Sequence, residues 1–480
     1  MASLTGAGHT FFTGIGGIGV SALAQLAIAS GICVSGSDSH LDIQHNPALG
    51  RLADAGAKLY PGHHAENIAD DVTLLVATAA VSDNNPELVE ARQRGIRTVS
   101  RAAYLGELMS AHHGPTIAVA GTHGKTTTTG MLGVMLKHAG WEPTVFVGGE
   151  IPMLGGNVSL GTADGPFVAE ACEAYDSFLW LKPEIAIVTN IEADHLDHYN
   201  SLEGVYDGFR KFLKGATHAI VCCASDPGVE HLSVEKGDFA CTWVGYGSEP
   251  TTVTSPDGSS YTVSVIGRNK ILIQGGKECA EFELKVPGIH NVANALAAAC
   301  TGVLLGVSPQ AIADGLSSFD GATRRQDKLA DVRVPGGEIT VIDDYAHHPT
   351  EIAATVSAIS AAYEGRRLLL VFQPHLYTRT RDFMDRFAES LSHSECLLVT
   401  AVYAAREAPI PGVHAAEIVQ KARAINSDQI GIFVPDRRSV PATLLALSRP
   451  GDVALFMGAG DIREQAEEFV KLLRQRSIIA

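Results

Sequence analysis

At 480 residues the chain exceeds the roughly 250–300 at which a single hydrophobic core stops growing, which excludes one domain and predicts two to four. With 46% hydrophobic and 19% charged residues and 49 glycines it has the composition of a glycine-rich globular protein, and no apolar run approaches the roughly 18 residues of a bilayer span, which excludes membrane insertion. The net charge of −17 repels polyanions and excludes a general nucleic-acid surface, so an anionic small substrate must be held by local basic groups and backbone N–H groups.

Residues Met1 to Thr13 carry no basic stretch followed by a long apolar one, so the expected location is the cytoplasm. The eight cysteines, at 33, 172, 222, 223, 241, 279, 300 and 396, form no CxxC pair and read as reduced thiols. Short aliphatic runs alternate with alanine- and leucine-rich helical stretches throughout, the pattern of parallel α/β layers. Three blocks are expected, 1–113, 114–325 and 326–480.

The first block opens with a strand, Thr10 to Thr13, the loop Gly14-Ile15-Gly16-Gly17-Ile18-Gly19 and a helix, Val20 to Ala29. This is GxGxxG in a strand-loop-helix setting, and Asp38 ends the second strand where a ribose-binding acid would sit. Alone the pattern suggests a nicotinamide-dependent dehydrogenase. With a second phosphate loop further along, it equally suits the pyrophosphate of another nucleotide.

That second loop is Gly121-Thr122-His123-Gly124-Lys125-Thr126-Thr127, after the strand Thr116 to Ala120 and before a helix read from Met131 to His138. Glycines let backbone N–H groups approach phosphate oxygens, the helix N-terminus adds positive potential, and Lys125 neutralises the β- and γ-phosphates. The Thr126 hydroxyl is placed for magnesium. Val119 stands where the strict GxxxxGK[ST] pattern wants glycine, so the loop is a shortened relative. Glu170 and Glu173 follow the strand Phe167 to Ala171, and Thr189 to Tyr199, with His195, follows the strand Glu184 to Val188; carboxylate and histidine at strand ends suit an oxygen- and nitrogen-ligated magnesium site. Residues 245–285 alternate like an antiparallel addition, with strands at Tyr261 to Ile266 and Lys270 to Gln274. Asn291 and Asn294 stand three apart on one helix face, either reading an adenine edge or capping the helix. In the third block, Asp343-Asp344-Tyr345-Ala346-His347-His348-Pro349 and Phe372-Gln373-Pro374-His375-Leu376-Tyr377-Thr378-Arg379 both lie at strand ends.

Taken in order, the two glycine loops, Asn190-Ile191-Glu192-Ala193-Asp194-His195, His290-Asn291-Val292-Ala293-Asn294, Asp343 to Pro349 and Phe372 to His375 resemble the Mur ligases of peptidoglycan synthesis over essentially the whole chain. Gln373-Pro374-His375 and Ala408-Pro409-Ile410-Pro411-Gly412 are similar to the alanine-adding branch of that family. The resemblance implies an α/β fold of three domains: a Rossmann-like N-terminal domain for a UDP sugar, a central P-loop ATPase domain, and a Rossmann-like C-terminal domain for an amino acid. It implies ATP and Mg2+ as cofactors, and UDP-N-acetylmuramate and L-alanine as the substrates joined through an acyl phosphate.

By similarity, Gly121 to Thr127 wrap the ATP phosphates, Thr126, Glu173 and His195 serve metal, and Asn291, Asn294, Arg325 and Asp344 contact the nucleotide. Tyr345, His347, His375 and Arg379 surround the amino acid, and Gly14, Gly16, Gly17, Gly19 and Asp38 face the UDP moiety. Lys125, Glu173, His195, Arg325 and His347 are the catalytic set, with His347 or His375 as the base that takes a proton from the amine. Cys172, Leu376 and Arg406 depart from the family's usual aspartate, arginine and glycine. Two further readings compete: the dehydrogenase, which leaves Lys125 and the third block unused, and a nucleotide-dependent switch without turnover.

Overall fold

The computed structural model describes residues 8–43, 46–78, 81–234, 237, 239–405 and 407–479; Arg406 lies outside them. The chain forms two compact units, residues 1–285 with 291–320, and residues 286–290 with 321–480.

The first unit begins with five strands, β1 (His9–Thr13), β2 (Cys33–Asp38), β3 (Lys58–Pro61), β4 (Val72–Ala77) and β5 (Arg97–Ser100), ordered β3-β2-β1-β4-β5 and all parallel. β1 is buried along its whole length, as a central parallel strand covered on both faces must be. The second sheet comprises β6 (Thr116–Ala120), β7 (Thr144–Ile151), β8 (Gly156–Ser159), β9 (Phe167–Glu170), β10 (Ile185–Val188), β11 (Ala219–Cys223) and β12 (Thr242–Tyr246), ordered β12-β11-β10-β6-β9-β7-β8. β8 runs antiparallel to β7 and the rest are parallel. This order sets β6, which feeds the lysine loop, between β9 and β10, so the segments after those two strands flank the loop. The expected antiparallel addition is β13 (Thr251–Thr254), β14 (Ser260–Val265), β15 (Lys270–Gly275) and β16 (Glu278–Glu283), a four-stranded meander.

One continuous core runs from the first sheet to the second: Tyr104 meets the edge of Phe12 at 5.7 Å, while Phe178 stacks on Phe212 at 5.0 Å and meets Phe209 edge-on at 5.2 Å. Most helices of the unit start on a side-chain cap; Asn46, Asn85, Ser100, Ser201, Asp226 and Ser308 each accept a first-turn N–H. The helices after the two glycine loops, Ile18–Ala29 and Lys125–His138, have glycine at that position and no side-chain cap. No side chain therefore accepts from the first-turn N–H groups of either helix. The second of these helices starts at Lys125, six residues before the Met131 read from hydropathy, because the loop fixes the first turn while Thr126 to Thr129 are small enough to pack inside.

The second unit holds β17 (Asp327–Val334), β18 (Gly337–Asp344), β19 (Leu368–Phe372), β20 (Cys396–Thr400), β21 (Ile430–Val434) and β22 (Val453–Met457), ordered β17-β18-β22-β19-β20-β21. Only β17 is antiparallel to its neighbour. Helices Pro349–Ala362, Met384–Leu391 and Ala416–Ile425 cover one face, Val440–Leu447 and Ile462–Ile479 the other. Two faces covered by crossover helices make a doubly wound sheet, whose ligand crevice lies at the carboxyl ends of its strands. Among the described residues no helix is long and apolar enough to cross a membrane.

Leu370, fully buried at the middle of β19, measures how tightly this second core is packed. Leu370→Ala is expected to cost about 2–5 kcal/mol, read as a lowered urea midpoint of the transition reporting on this unit; a loss under about 1 kcal/mol would show a core that collapses around the cavity.

Candidate active site

The loop after β6 needs glycine at two places. Gly121 has φ +135°, and a Cβ there would overlap the Thr189 hydroxyl; Gly124 has φ +83°, and a Cβ would lie 2.5 Å from Asn294 Oδ1. The segment after β10 braces the loop from outside. Asn190 accepts from His123 N (2.8 Å) and donates to His123 O (3.0 Å), Thr189 Oγ1 donates to His123 O (2.5 Å), and Glu192 N donates to Thr122 Oγ1 (2.9 Å).

Lys125 is turned back into its own loop. Its Nζ donates to the carbonyls of Gly121 (2.5 Å) and Thr122 (3.0 Å) and to Glu173 Oε1 (3.0 Å), with Glu173 Oε2 at 2.8 Å. Burial works against the ammonium charge, but the carboxylates of Glu173 and Glu170 outweigh it and hold the lysine pKa above its ordinary value. Burial first, then Glu173, push the Cys172 thiol up, so the residue in the aspartate's place stays neutral. Thr126 Oγ1 donates to both oxygens of Glu170 at 3.0 and 3.1 Å, and Gly148 N donates to Glu170 Oε2 at 2.6 Å.

Glu173 and His195 lie on two segments tied together by contacts that sequence spacing does not reveal. Tyr199 donates its hydroxyl to the Glu173 carbonyl (2.6 Å), and His198 Nε2 lies 3.1 Å from Asp176 Oδ2. Tyr175, Asp176, His195 and Asn200 all take positive φ, between 52° and 61°. Four non-glycine residues in the left-handed region within two touching segments are strain concentrated at a site, held in place by these cross-links.

Asn291 and Asn294 are both buried, Asn294 Nδ2 donating to Asn291 Oδ1 at 3.3 Å, and Asn294 is the residue that fills the space beside Gly124. The pair therefore belongs beside the phosphate loop, 170 residues away in sequence.

At the first loop, Gly14 N and Ile15 N both donate to Ser37 O (2.8 and 2.9 Å), and Asp38 Oδ2 accepts from Gly16 N (2.9 Å) while Oδ1 accepts from His40 N (3.0 Å). A Cβ on Gly16 would lie 2.8 Å from the same Asp38 oxygen, and one on Gly19 would overlap Arg101 Nη1. Asp38 thus organises the loop, and Arg101, which sequence reading missed, lays its guanidinium over the first turn of the uncapped helix. Nearby, His9 joins Asp71 (2.9 Å) to Ser35 (2.7 Å) in the connectivity of a hydrolase triad, but Ser35 is fully buried and no substrate reaches it.

In the second unit, Asp344 accepts from Gln326 N and Ala346 N, both at 2.7 Å; burial raises its pKa to about 6 against the opposing pull of Arg325. Arg325 lies 5.2 Å from the Tyr345 ring and 3.6 Å from Glu351. Burial lowers the pKa of His347 to about 4 even though Glu351 opposes it, so the ring is neutral at pH 7. His347 Nδ1 is 2.9 Å from the Tyr345 carbonyl, which can only accept, so Nδ1 carries the hydrogen and Nε2 the lone pair. His347 and His375 rings meet at 5.9 Å; His375 stacks on Tyr403 at 5.6 Å and has Arg379 Nη1 at 3.4 Å from its Nδ1. Leu376, in the arginine's usual place, has φ 71° and its N–H donates to Tyr403 O. Tyr345, His347, His375 and Arg379 are thus brought together, along with Glu351, Tyr403 and Glu407; Glu407 accepts from both the backbone and the hydroxyl of Thr378. Sequence reading missed these three: Glu351 lies in the first turn of the helix Pro349–Ala362, and Tyr403 and Glu407 lie in the segment after β20.

The chain matches three family descriptions: the Mur ligase family catalytic domain over residues 9–113, the Mur ligase middle domain over 119–302, and the Mur ligase glutamate ligase domain over 324–460. It is 40% identical over 462 residues to a UDP-N-acetylmuramate--L-alanine ligase of Salinibacter ruber, covering 96% of this chain and 94% of the relative. It is 40% identical over 477 residues to the protein of that name from Paenarthrobacter aurescens, covering 98% and 99%. Among solved structures, a UDP-N-acetylmuramate-alanine ligase from Thermotoga maritima superposes with a TM-score of 0.77 at 31% identity, covering 97% of this chain and 99% of that one. A murein peptide ligase from Psychrobacter arcticus gives 0.68 at 25%, covering 97% and 98%.

Because His347 is held neutral, it contributes stability above its unfolded pKa of about 6.5 that is lost as pH falls through about 4. His347→Gln is expected to flatten that part of the acid loss in thermal unfolding between pH 6.5 and 4; an unchanged difference from the parent across the window would contradict the assignment.

Proposed function

The chain belongs to the Mur ligase family, and from that premise we infer that it is an ATP-dependent ligase joining L-alanine to the muramic carboxylate of UDP-N-acetylmuramate in peptidoglycan precursor synthesis. The observation that carries the chemistry is the charged Lys125, its side chain 14% exposed, held inside a glycine loop at an uncapped helix N-terminus. We divide the work among residues 1–113 for the sugar nucleotide, 114–325 for ATP and 326–480 for the amino acid, and place the reaction in the cytoplasm.

A carboxylate is a poor electrophile until one oxygen becomes a leaving group. Transfer of the ATP γ-phosphate to it gives an acyl phosphate; the alanine amine attacks the carbonyl carbon and inorganic phosphate departs. Gly121 to Thr127 bind the ATP phosphates, and Lys125 exchanges Glu173 and two carbonyls for phosphate oxygens, carrying its positive charge onto the transferring group. Asn291 and Asn294 bind the nucleoside, with Arg325 and the turn held by Asp344 as further contacts.

The donors Thr126, Glu173 and His195 fit magnesium: they offer hard oxygen and one imidazole, and Glu173, once Lys125 has turned to phosphate, is a buried carboxylate in need of a cation. Bound there, the ion supplies charge neutralisation on the phosphate oxygens. In the third domain Arg379 pairs with the alanine carboxylate, Tyr345 and His375 wall the site, and the His347 Nε2 lone pair accepts a hydrogen from the amine and orients its attack. Gly14, Gly16, Gly17 and Gly19 receive the diphosphate of the sugar nucleotide, with Asp38 fixing the loop.

Phosphate release from ATP is expected only when UDP-N-acetylmuramate and L-alanine are both present, and Lys125→Ala is expected to lower it at least 1,000-fold, roughly 4 kcal/mol of transition-state stabilisation. Activity within tenfold of the parent would remove Lys125 from the chemistry. Glu173→Gln is expected to shift the magnesium dependence of turnover to concentrations at least tenfold higher; a superimposable titration would exclude Glu173 as a ligand.

A further inference from the structure

The second unit holds a cleft of about 270 Å³ that none of the roles above uses. It lies past the carboxyl ends of β19, β20 and β21 and is lined by Gln373, Thr400, Tyr403, Arg437 and Asp461. A single water needs only roughly 10–15 Å³ of such space, so a whole ring can move into it. Tyr403 stands at its border. The Tyr403 ring is stacked on that of His375, with an interplanar angle of 14° and centroids 5.6 Å apart. His375 in turn meets the His347 ring at 5.9 Å and has Arg379 Nη1 3.4 Å from its Nδ1. His375 is therefore the wall, and Tyr403 is what backs it.

The backbone holds that backing in place. Tyr403 N donates to Pro374 O (2.8 Å) and Leu376 N donates to Tyr403 O (3.0 Å), one rung of parallel pairing between His375 and Tyr403 beyond the strands themselves. The segment after β22 packs on the same ring: a Cβ on Gly460 would lie 2.7 Å from Tyr403 Cγ, so only glycine lets the chain come this close. Arg324 Nη2 fixes that segment by donating to the carbonyls of Gly458 (2.6 Å) and Gly460 (3.1 Å). The Tyr403 ring is thus packed against both His375 and Gly460, with the cleft beside it.

We propose that Tyr403 sets the upper size of the amino acid, as a positioning residue that holds the His375 ring against the substrate's side chain; this rests on the reading of Tyr345, His347, His375 and Arg379 as the amino-acid site. Arg379 takes the carboxylate and His347 the amine, and both adjoin His375, so the side chain is the group left to meet the His375 ring. A methyl group fits against a fixed wall. A longer chain must displace the ring, and a ring stacked on a clamped neighbour yields little, because close-packed groups resist overfilling. With the Tyr403 ring removed, His375 can lean towards the cleft and make room.

Amino-acid-dependent phosphate release by the full chain, with ATP, Mg2+, UDP-N-acetylmuramate and either L-alanine or L-norvaline, tests this. The parent is expected to favour L-alanine at least tenfold in kcat/KM, about the least that one misfitting methylene is worth. Tyr403→Ala is expected to cut that ratio at least fivefold through a lower KM for L-norvaline, whereas Tyr403→Phe, which keeps the ring, stays within about twofold of the parental ratio. A bracing role alone would slow both amino acids alike and leave the ratio where it was. Should Tyr403→Ala not fold, Tyr403→Leu replaces it, with the ratio expected to fall at least threefold. A parent with a smaller preference for L-alanine, ring-deleted proteins that keep the parental ratio or turn over neither amino acid, or a Tyr403→Phe ratio as low as that of Tyr403→Ala each overturn the proposal. A parent that releases no phosphate with either amino acid overturns the ligase reading itself.

Discussion

The ammonium of Lys125 against the carboxylate of Glu173 is the contact around which the central sheet is arranged. Two charges taken out of water are costly, and a buried pair seldom stabilises more than an apolar pair of the same volume would. Here the cost is limited by the Gly121 and Thr122 carbonyls, which occupy the remaining ammonium hydrogens. On the function proposed above, a phosphate in the loop relieves that cost: an anion would replace the carboxylate, and the carboxylate would be free for a divalent cation. One polar contact thus prepares the site for both partners.

That contact requires a particular strand order. Lys125 follows β6 and Glu173 follows β9, while the residues that hold the loop from the other side, Thr189 to Glu192, follow β10. With β6 anywhere but between β9 and β10, the loop would lose one of its walls. The two glycines then follow from proximity: the Thr189 hydroxyl occupies the space beside Gly121 and the Asn294 amide the space beside Gly124. Positive φ at both is the local consequence of a loop pressed between a strand end and a helix.

What the sequence made legible is what it encodes locally. The aliphatic runs became strands within a residue or two, the alternation in 245–285 became a meander, and both glycine loops stand where strand-loop-helix logic puts them. Relations across the fold stayed hidden. Nothing in the spacing says that Tyr199 holds the Glu173 carbonyl, that Asn294 seals the lysine loop, or that Arg101 overlies the first helix, since each joins segments brought together only by sheet order. Asp38 shows the same limit from the other side. Its position suggested a ribose ligand, and the structure adds what spacing did not show, that its oxygens also accept from the N–H groups of Gly16 and His40.

On the assignment proposed above, with the diphosphate at the first loop and ATP at the second, the two loops solve one electrostatic problem in different ways. A chain of net charge −17 that handles a nucleoside diphosphate sugar and a nucleoside triphosphate must create positive potential locally, against its own field. Both loops use an uncapped helix N-terminus, whose partial charge acts over about one turn. At the site of phosphoryl transfer, where charge is redistributed during reaction, the sequence adds a full cation within the loop. The first loop has no lysine of its own; its cation, Arg101, arrives from the start of another helix, after β5. That difference follows from what each anion does. A diphosphate that is only held needs charge nearby, whereas a phosphoryl group that moves needs a charge whose partner can be exchanged, and Lys125 already has one in Glu173.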